Sequence, residues 1–248
     1  MEFMTKLLDA VGEQRRGARA TGFCTLSQKE QVDRKLGISK SLCFQDVLSL
    51  DDPELLRFLP RPVHALILVF PTTEAYERRI KVEDFESKNY PDGSDDEDVV
   101  SFRQTTNNAC GLYAILHAVC NGDVRNSFGE LADMTEPSSP MGHLSRTCLP
   151  LRHSERALAL ENEQKLERAY ADVAKKGDTE APANPEDESH INGHLYQLDG
   201  DRKRPIELAF LEAEEDVLSE KCLAVIRVMT TWEEDNLSFS LMALVEQS

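Results

Sequence analysis

No apolar run in this chain is long enough to cross a membrane. The longest, residues 63–70 (VHALILVF), falls far short of the about 20 residues a spanning helix needs. The first residues, MEFMTKLLDAVGEQRR, lack the small-residue cleavage site of a secretory leader and carry an acid at position 2, so no signal peptide is expected. Six cysteines (24, 43, 110, 120, 148 and 222) are scattered with no C-x-x-C pair, and the six histidines do not complete a zinc pattern. We therefore expect no metal and no cofactor, and reduced thiols in cytoplasm or nucleus. Basic residues are scarce: 28 Lys and Arg face 45 Asp and Glu, a net charge of −17. That balance argues against nucleic acid and anionic membranes as partners. It suits a basic protein partner, and equally suits plain solubility. Tryptophan occurs once, at Trp232, and no internal repeat is present.

What remains is a chain of 248 residues, 40% of them hydrophobic, enough for one large domain or two small ones. The first forty residues are polar and carry no clear pattern. Asp51-Asp52-Pro53-Glu54 reads as a helix start, with acidic caps and proline in the first turn. Residues 63–70 read as a strand buried on both faces, stopped by Pro71. Residues 91–98 (PDGSDDED) read as a solvated acidic loop. Leu112, Ile115, Leu116 and Val119 follow helical spacing, ended by Asn121-Gly122. Residues 134–154 hold three prolines and no periodicity, which predicts a long loop. A charged helix is predicted over 155–176. A strand is predicted over 194–199, entered through an Asn192-Gly193 turn. An amphipathic helix is predicted around Leu218, Cys222, Val225, Ile226 and Met229, and a closing strand at Leu237, Phe239, Leu241 and Ala243. Interspersed strands and helices give an α/β or α+β domain.

The chemistry centres on QTTNNACGLYAILHAVC, residues 104–120. A thiolate, not a thiol, is the nucleophile. A helix N-terminus lowers a cysteine pKa through its open N–H groups and partial positive charge. Asn107 or Asn108 can cap this helix, leaving Cys110 in its first turn. Attack on a carbonyl also needs donors for the developing oxyanion. The backbone N–H of Cys110 can be one and the amide of Gln104 the other. The competing reading is a buried core cysteine, because cysteine is among the most buried residue types.

The string Gln104-Thr105-x-x-Asn108-Ala109-Cys110-Gly111 resembles the active-site signature of the ubiquitin C-terminal hydrolases, papain-like cysteine deubiquitinases. Further segments are similar in the same order: residues 51–71 (DDPELLRFLPRPVHALILVFP) to the family's early helix and central strand, 177–182 (GDTEAP) to the end of its crossover loop, 193–200 (GHLYQLDG) to its aspartate-bearing strand, and 236–245 (NLSFSLMALV) to its last strand. The spelling is similar to fungal members. The resemblance implies a catalytic domain over 36–248, preceded by a divergent segment 1–35. It implies a central antiparallel sheet flanked by helices, papain-like, with a knotted path. It makes Cys110 the nucleophile, Gln104 the oxyanion-hole donor and Asp199 the residue that orients a general-base histidine. The implied partners are ubiquitin and small or unfolded ubiquitin adducts, held by a monomer.

A cysteine nucleophile of this kind needs a histidine to take and return the proton. In the family it heads a strand of the form H-[FY]-[IV]-x-x-V. Here the corresponding stretch, 181–189, reads APANPEDES, with two prolines and no apolar alternation. It is expected not to form a central strand. The position that should be histidine holds Asn184. With a two-residue Asn192-Gly193 turn, Ile191 pairs with His194 and His190 with Leu195. His194 and Asp199 then face opposite sides. His190 shares the face of Asp199 but lies about 13 Å along it. His117 lies two turns down the cysteine helix, about 10 Å away, and reads as a packing residue. We therefore expect a segment with the base histidine and most of one strand to be missing from this chain. Two functions compete: a cysteine deubiquitinase working through a thioester, impaired by that loss, and a catalytically inactive ubiquitin-binding module. A papain-like acyl transferase or hydrolase unrelated to ubiquitin is a third reading.

Overall fold

The computed structural model describes residues 36–39, 41–70, 74–86, 99–105, 110–125, 139–161, 163, 185–191, 193–212, 214–231 and 239–246. The segment 1–35, the acidic loop 91–98, Asn107, Asn108 and Asn184 lie outside them.

The strand predicted at 63–70 organises the rest. As β2 (Val63–Val69) it sits inside a six-stranded antiparallel sheet with β1 (Leu42–Asp46), β3 (Pro185–Ile191), β4 (His194–Asp199), β5 (Ile206–Phe210) and β6 (Ser240–Glu246), in the order β1-β6-β2-β3-β4-β5. Successive side chains of a strand point to opposite faces, and both faces of β2 are apolar. Ala65, Ile67 and Val69 join a core with α3 (Cys110–Val119) and with α4 (Pro140–Thr147). Leu66 and Leu68 join a second core with α2 (Glu74–Glu86) and α6 (Glu220–Thr231). The sheet thus lies between two helical layers. Continuous burial from Ala65 to Val69 on β2, and from Leu241 to Val245 on β6, is what two covered faces demand. Among the described residues no helix is long and apolar enough to cross a membrane.

Local chemistry explains the ends of elements. The short helix α1 (Pro53–Leu56) is capped by Asp52, whose carboxylate accepts the N–H groups of Glu54 and Leu55 at 2.9 and 3.4 Å. Gly193, at φ +81°, turns β3 into β4 in a left-handed conformation that glycine adopts without strain. Ile191 pairs with His194 and His190 with Leu195, the register expected from that turn. Cys222, Leu223, Ile226 and Met229 form the buried stripe of α6.

Two expectations are overturned. Residues 134–154 were read as loop, yet α4 begins within them, and α5 (His153–Glu161) starts at their end. The Ser139-Pro140 pair is a helix start: the Ser139 hydroxyl accepts Gly142 N–H at 3.0 Å, and proline at the first helical position has no N–H to lose. The second correction concerns 181–189. Residues 185–191 do form a central strand, β3, paired with β2 from Ala65↔Ser189 to Val69↔Pro185 and with β4 from Glu186↔Asp199 to Ile191↔His194. A ladder is made by main-chain groups, so polar side chains do not forbid it. Pro185 opens the strand, where a missing N–H is tolerated. The sheet therefore has no gap at this point. β1, β5 and α2 had no clear signal in the sequence.

Candidate functional site

The cysteine stands where the sequence puts it, as the first residue of α3, which packs across β2, β3 and β4. Cys110 is buried, 4% exposed. Segment 99–105, which carries Gln104, lies along the same helix. The N–H of Gln104 donates to Gly200 O at 2.8 Å, tying the glutamine to the residue after Asp199. One residue on, Thr105 N–H reaches the hydroxyl of Tyr113 on α3 at 3.4 Å. These two bonds gather Gln104, the front of the cysteine helix and the end of β4. The approach at Gly200 is close: a Cβ there would meet Gln104 Cβ at 2.8 Å, so only glycine fits without displacing the glutamine.

Asp199 ends β4, with its side chain fully buried. A buried carboxylate needs partners, and it has them. The hydroxyl of Tyr76 on α2 donates to Oδ2. Asp201 N–H donates to Oδ1 at 2.9 Å, and the buried Arg202 guanidinium lies 3.6 Å from Oδ2. Arg202 also binds Glu83 Oε2 at 2.7 Å. Tyr76 and Glu83 lie two turns apart on α2, so the helix grips the end of β4 twice. None of Tyr76, Glu83, Asp201, Arg202 or Gly200 was singled out from the sequence. The apolar spacing of Tyr76 and Ile80 was the signal available for α2.

Electrostatics here run against the expectation for Cys110. Burial pushes its thiol up to about 11 from the ordinary 9.0, although the backbone N–H groups of Gly111 and Cys110 pull it down and the charge of Asp201 adds to the rise. The helix front acts as anticipated, but desolvation is larger. Asp201 is itself raised to about 6, by desolvation first and then by Asp199 and Glu77, with Arg103 opposing.

Five histidines have described side chains, and each has a partner of its own. His64 lies 3.7 Å from Glu246, His143 2.8 Å from Glu163, and His194 2.7 Å from Glu207. His153 contacts the Ser101 hydroxyl at 2.7 Å. His117 is a packing residue, as read: its Nε2 accepts Phe102 N–H at 2.9 Å, and its ring stacks on Phe102. His190 is described by backbone register only, opposite Leu195. Among the described residues no cluster of metal-ligating side chains is present.

Over most of its length the chain is similar to known proteins. The family Ubiquitin carboxyl-terminal hydrolase, family 1, matches residues 29–231. A ubiquitin carboxyl-terminal hydrolase of Aplysia californica is 34% identical over 184 residues, covering 69% of this chain and 76% of the relative. One of Drosophila melanogaster is 32% identical over 218 residues, 85% of this chain and 89% of the relative. The Saccharomyces cerevisiae hydrolase YUH1 is 30% identical over 229 residues, 85% and 88%. The crystal structure of Trichinella spiralis UCH37 bound to ubiquitin vinyl methyl ester superposes with a TM-score of 0.64 at 18% identity, covering 90% of this chain and 80% of that one.

Proposed function

Because this chain belongs to the ubiquitin carboxyl-terminal hydrolases of family 1, we propose that it is a cysteine deubiquitinase cleaving the bond after the C-terminal glycine of ubiquitin. The observation that supports the reading is that neighbouring residues of one segment tie to both elements: Gln104 N–H donates to Gly200 O, beside Asp199, and Thr105 N–H reaches the Tyr113 hydroxyl on the cysteine helix. In the reaction the Cys110 thiolate attacks the glycine carbonyl. A C–S bond forms and the carbonyl π pair moves to oxygen. The Cys110 N–H and the Gln104 amide stabilise that oxyanion. Collapse expels the amine, which takes up a proton from solvent water, and leaves a thioester. Water then adds to the thioester carbonyl and the C–S bond breaks; one proton of the water returns to the Cys110 sulfur, the other passes to solvent, and the ubiquitin C-terminal carboxylate is released. The acidic surface suits ubiquitin's basic face, and small or unfolded leaving groups are the substrates we assign. We place the protein in the cytoplasm or nucleus, as a monomer.

A second reading has specific support. The described histidines are engaged elsewhere, burial holds Cys110 above 9.0, and Tyr76 and Arg202 already occupy the Asp199 carboxylate. These features favour a ubiquitin-binding module without turnover. One experiment separates the two. The purified chain is incubated with ubiquitin bearing a fluorogenic C-terminal amide, and labelled in parallel with a ubiquitin vinyl methyl ester. Turnover and a mass adduct, both lost in Cys110→Ala, support the hydrolase. Saturable ubiquitin binding with neither supports the module.

A further inference from the structure

The segment 99–105 belongs to no strand, yet Val100 and Phe102 are fully buried. Buried backbone groups must find partners, and here α3 and Asn121, just past its end, supply them. Asn121 Oδ1 accepts Val100 N–H at 2.7 Å, and its Nδ2 donates to Val100 O at 2.8 Å. The same amide donates to His117 O at 2.8 Å, which fixes its plane. His117 Nε2 accepts Phe102 N–H at 2.9 Å. The Tyr113 hydroxyl accepts Thr105 N–H at 3.4 Å. Tyr113 and His117, four residues apart, share one face of the helix, Asn121 continues the line just past its end through the His117 O bond, and all three are at most 3% exposed.

The spacing fits the segment it holds. Four helical residues rise about 6 Å, and two extended residues span about 6.6 Å. The steps Asn121 to His117 and Val100 to Phe102 therefore match. The last step is one residue longer on the segment side, from Phe102 to Thr105. The surplus falls at Gln104, whose own N–H leaves the helix for Gly200 O at 2.8 Å. The segment runs antiparallel to α3, toward the end of the helix that carries Cys110.

We propose that Tyr113, His117 and Asn121 form a rail along the cysteine helix whose work is to set Gln104 as an oxyanion donor beside Cys110. They are positioning residues, acting through Gln104. This rests on the hydrolase reading, because a binding module has no use for an oxyanion donor.

The test uses the full chain and two probes, ubiquitin and ubiquitin with a C-terminal aldehyde. The Cys110 sulfur adds to the aldehyde carbon, and the thiol proton ends on the former carbonyl oxygen, so nothing leaves and no turnover is needed. The ratio of the two dissociation constants reads how well the donors hold the oxygen of that tetrahedral adduct, the position an oxyanion would occupy, and cancels any general loss of ubiquitin binding. The wild-type chain should prefer the aldehyde, and Gln104→Ala should reduce that preference about tenfold or more. His117→Leu should reduce it by a similar factor, with no further loss in the double variant. His117→Gln, which keeps an acceptor, should restore most of it. Tyr113→Phe removes one hydroxyl only, and should give a smaller loss even where His117→Leu fails to fold. The rail is refuted when Gln104→Ala lowers the preference and neither His117→Leu nor Tyr113→Phe does, or when the losses multiply in the double variant. A wild-type chain that binds ubiquitin with no aldehyde preference refutes the hydrolase reading itself, and the rail's role falls with it.

Discussion

Tyr76→Phe isolates one hydroxyl. The ring is 1% exposed, meets Phe70 edge-on at 5.1 Å and carries Arg79 over its face at 5.2 Å. Phenylalanine keeps that packing. What goes is the hydrogen bond to Asp199, a carboxylate with a fully buried side chain. Hydrogen bonds to charged groups contribute about 1.5–3 kcal/mol, so a loss of about 2 kcal/mol is expected. For a chain of this size that lowers Tm by roughly 4–8 °C. In an Asp199→Ala background the partner is absent, and Tyr76→Phe should then cost close to nothing. Chemical denaturation of the four proteins closes the cycle, with a coupling of at least about 1 kcal/mol expected. Should Tyr76→Phe cost the same in both backgrounds, the hydroxyl does not hold the carboxylate, and α2 grips the end of β4 through the Glu83–Arg202 pair alone.

The thiol of Cys110, raised to about 11, should be roughly one part in a thousand ionised at pH 8. Its alkylation rate, followed by mass, should climb about tenfold per pH unit from 8 to 10, and a plateau below pH 8 contradicts the burial argument. His117 is held down to about 3 by burial, so below its ordinary 6.5 the unfolded chain takes up a proton that the folded chain refuses. Stability is then lost as pH falls from 6.5 toward 3, by roughly 3 kcal/mol at pH 4.5. His117→Gln should lack that component in denaturation curves measured across this range. Gly200→Ala should push Gln104 aside through the 2.8 Å approach, and lower turnover of a ubiquitin ester about as much as Gln104→Ala does. A Gly200→Ala chain with undiminished turnover shows that the glutamine is not held there.

Much of the fold was readable along the chain because it follows from period and punctuation. A double-sided apolar run predicted β2, helical spacing predicted α3 and α6, and Asn192-Gly193 set the β3–β4 register. The three candidate site residues, Cys110, Gln104 and Asp199, were named from a short motif and from resemblance. The approach of Gln104 to the end of β4 was not deducible from spacing, since it depends on Gln104 N–H reaching Gly200 O.

The misses share one cause. β3 carries no apolar pattern, and its strand character comes from two neighbours whose N–H and C=O groups need a ladder. A polar segment has no way to advertise that demand in its own composition. The Cys110 pKa turned on the same point. The helix field is a local property and was foreseen, whereas desolvation belongs to the packing around the helix. Period, caps and turns act within a few residues and are written in the chain. Pairing partners, burial and the company of a carboxylate are set by residues far apart in sequence, and exist only once the sheet has closed around them.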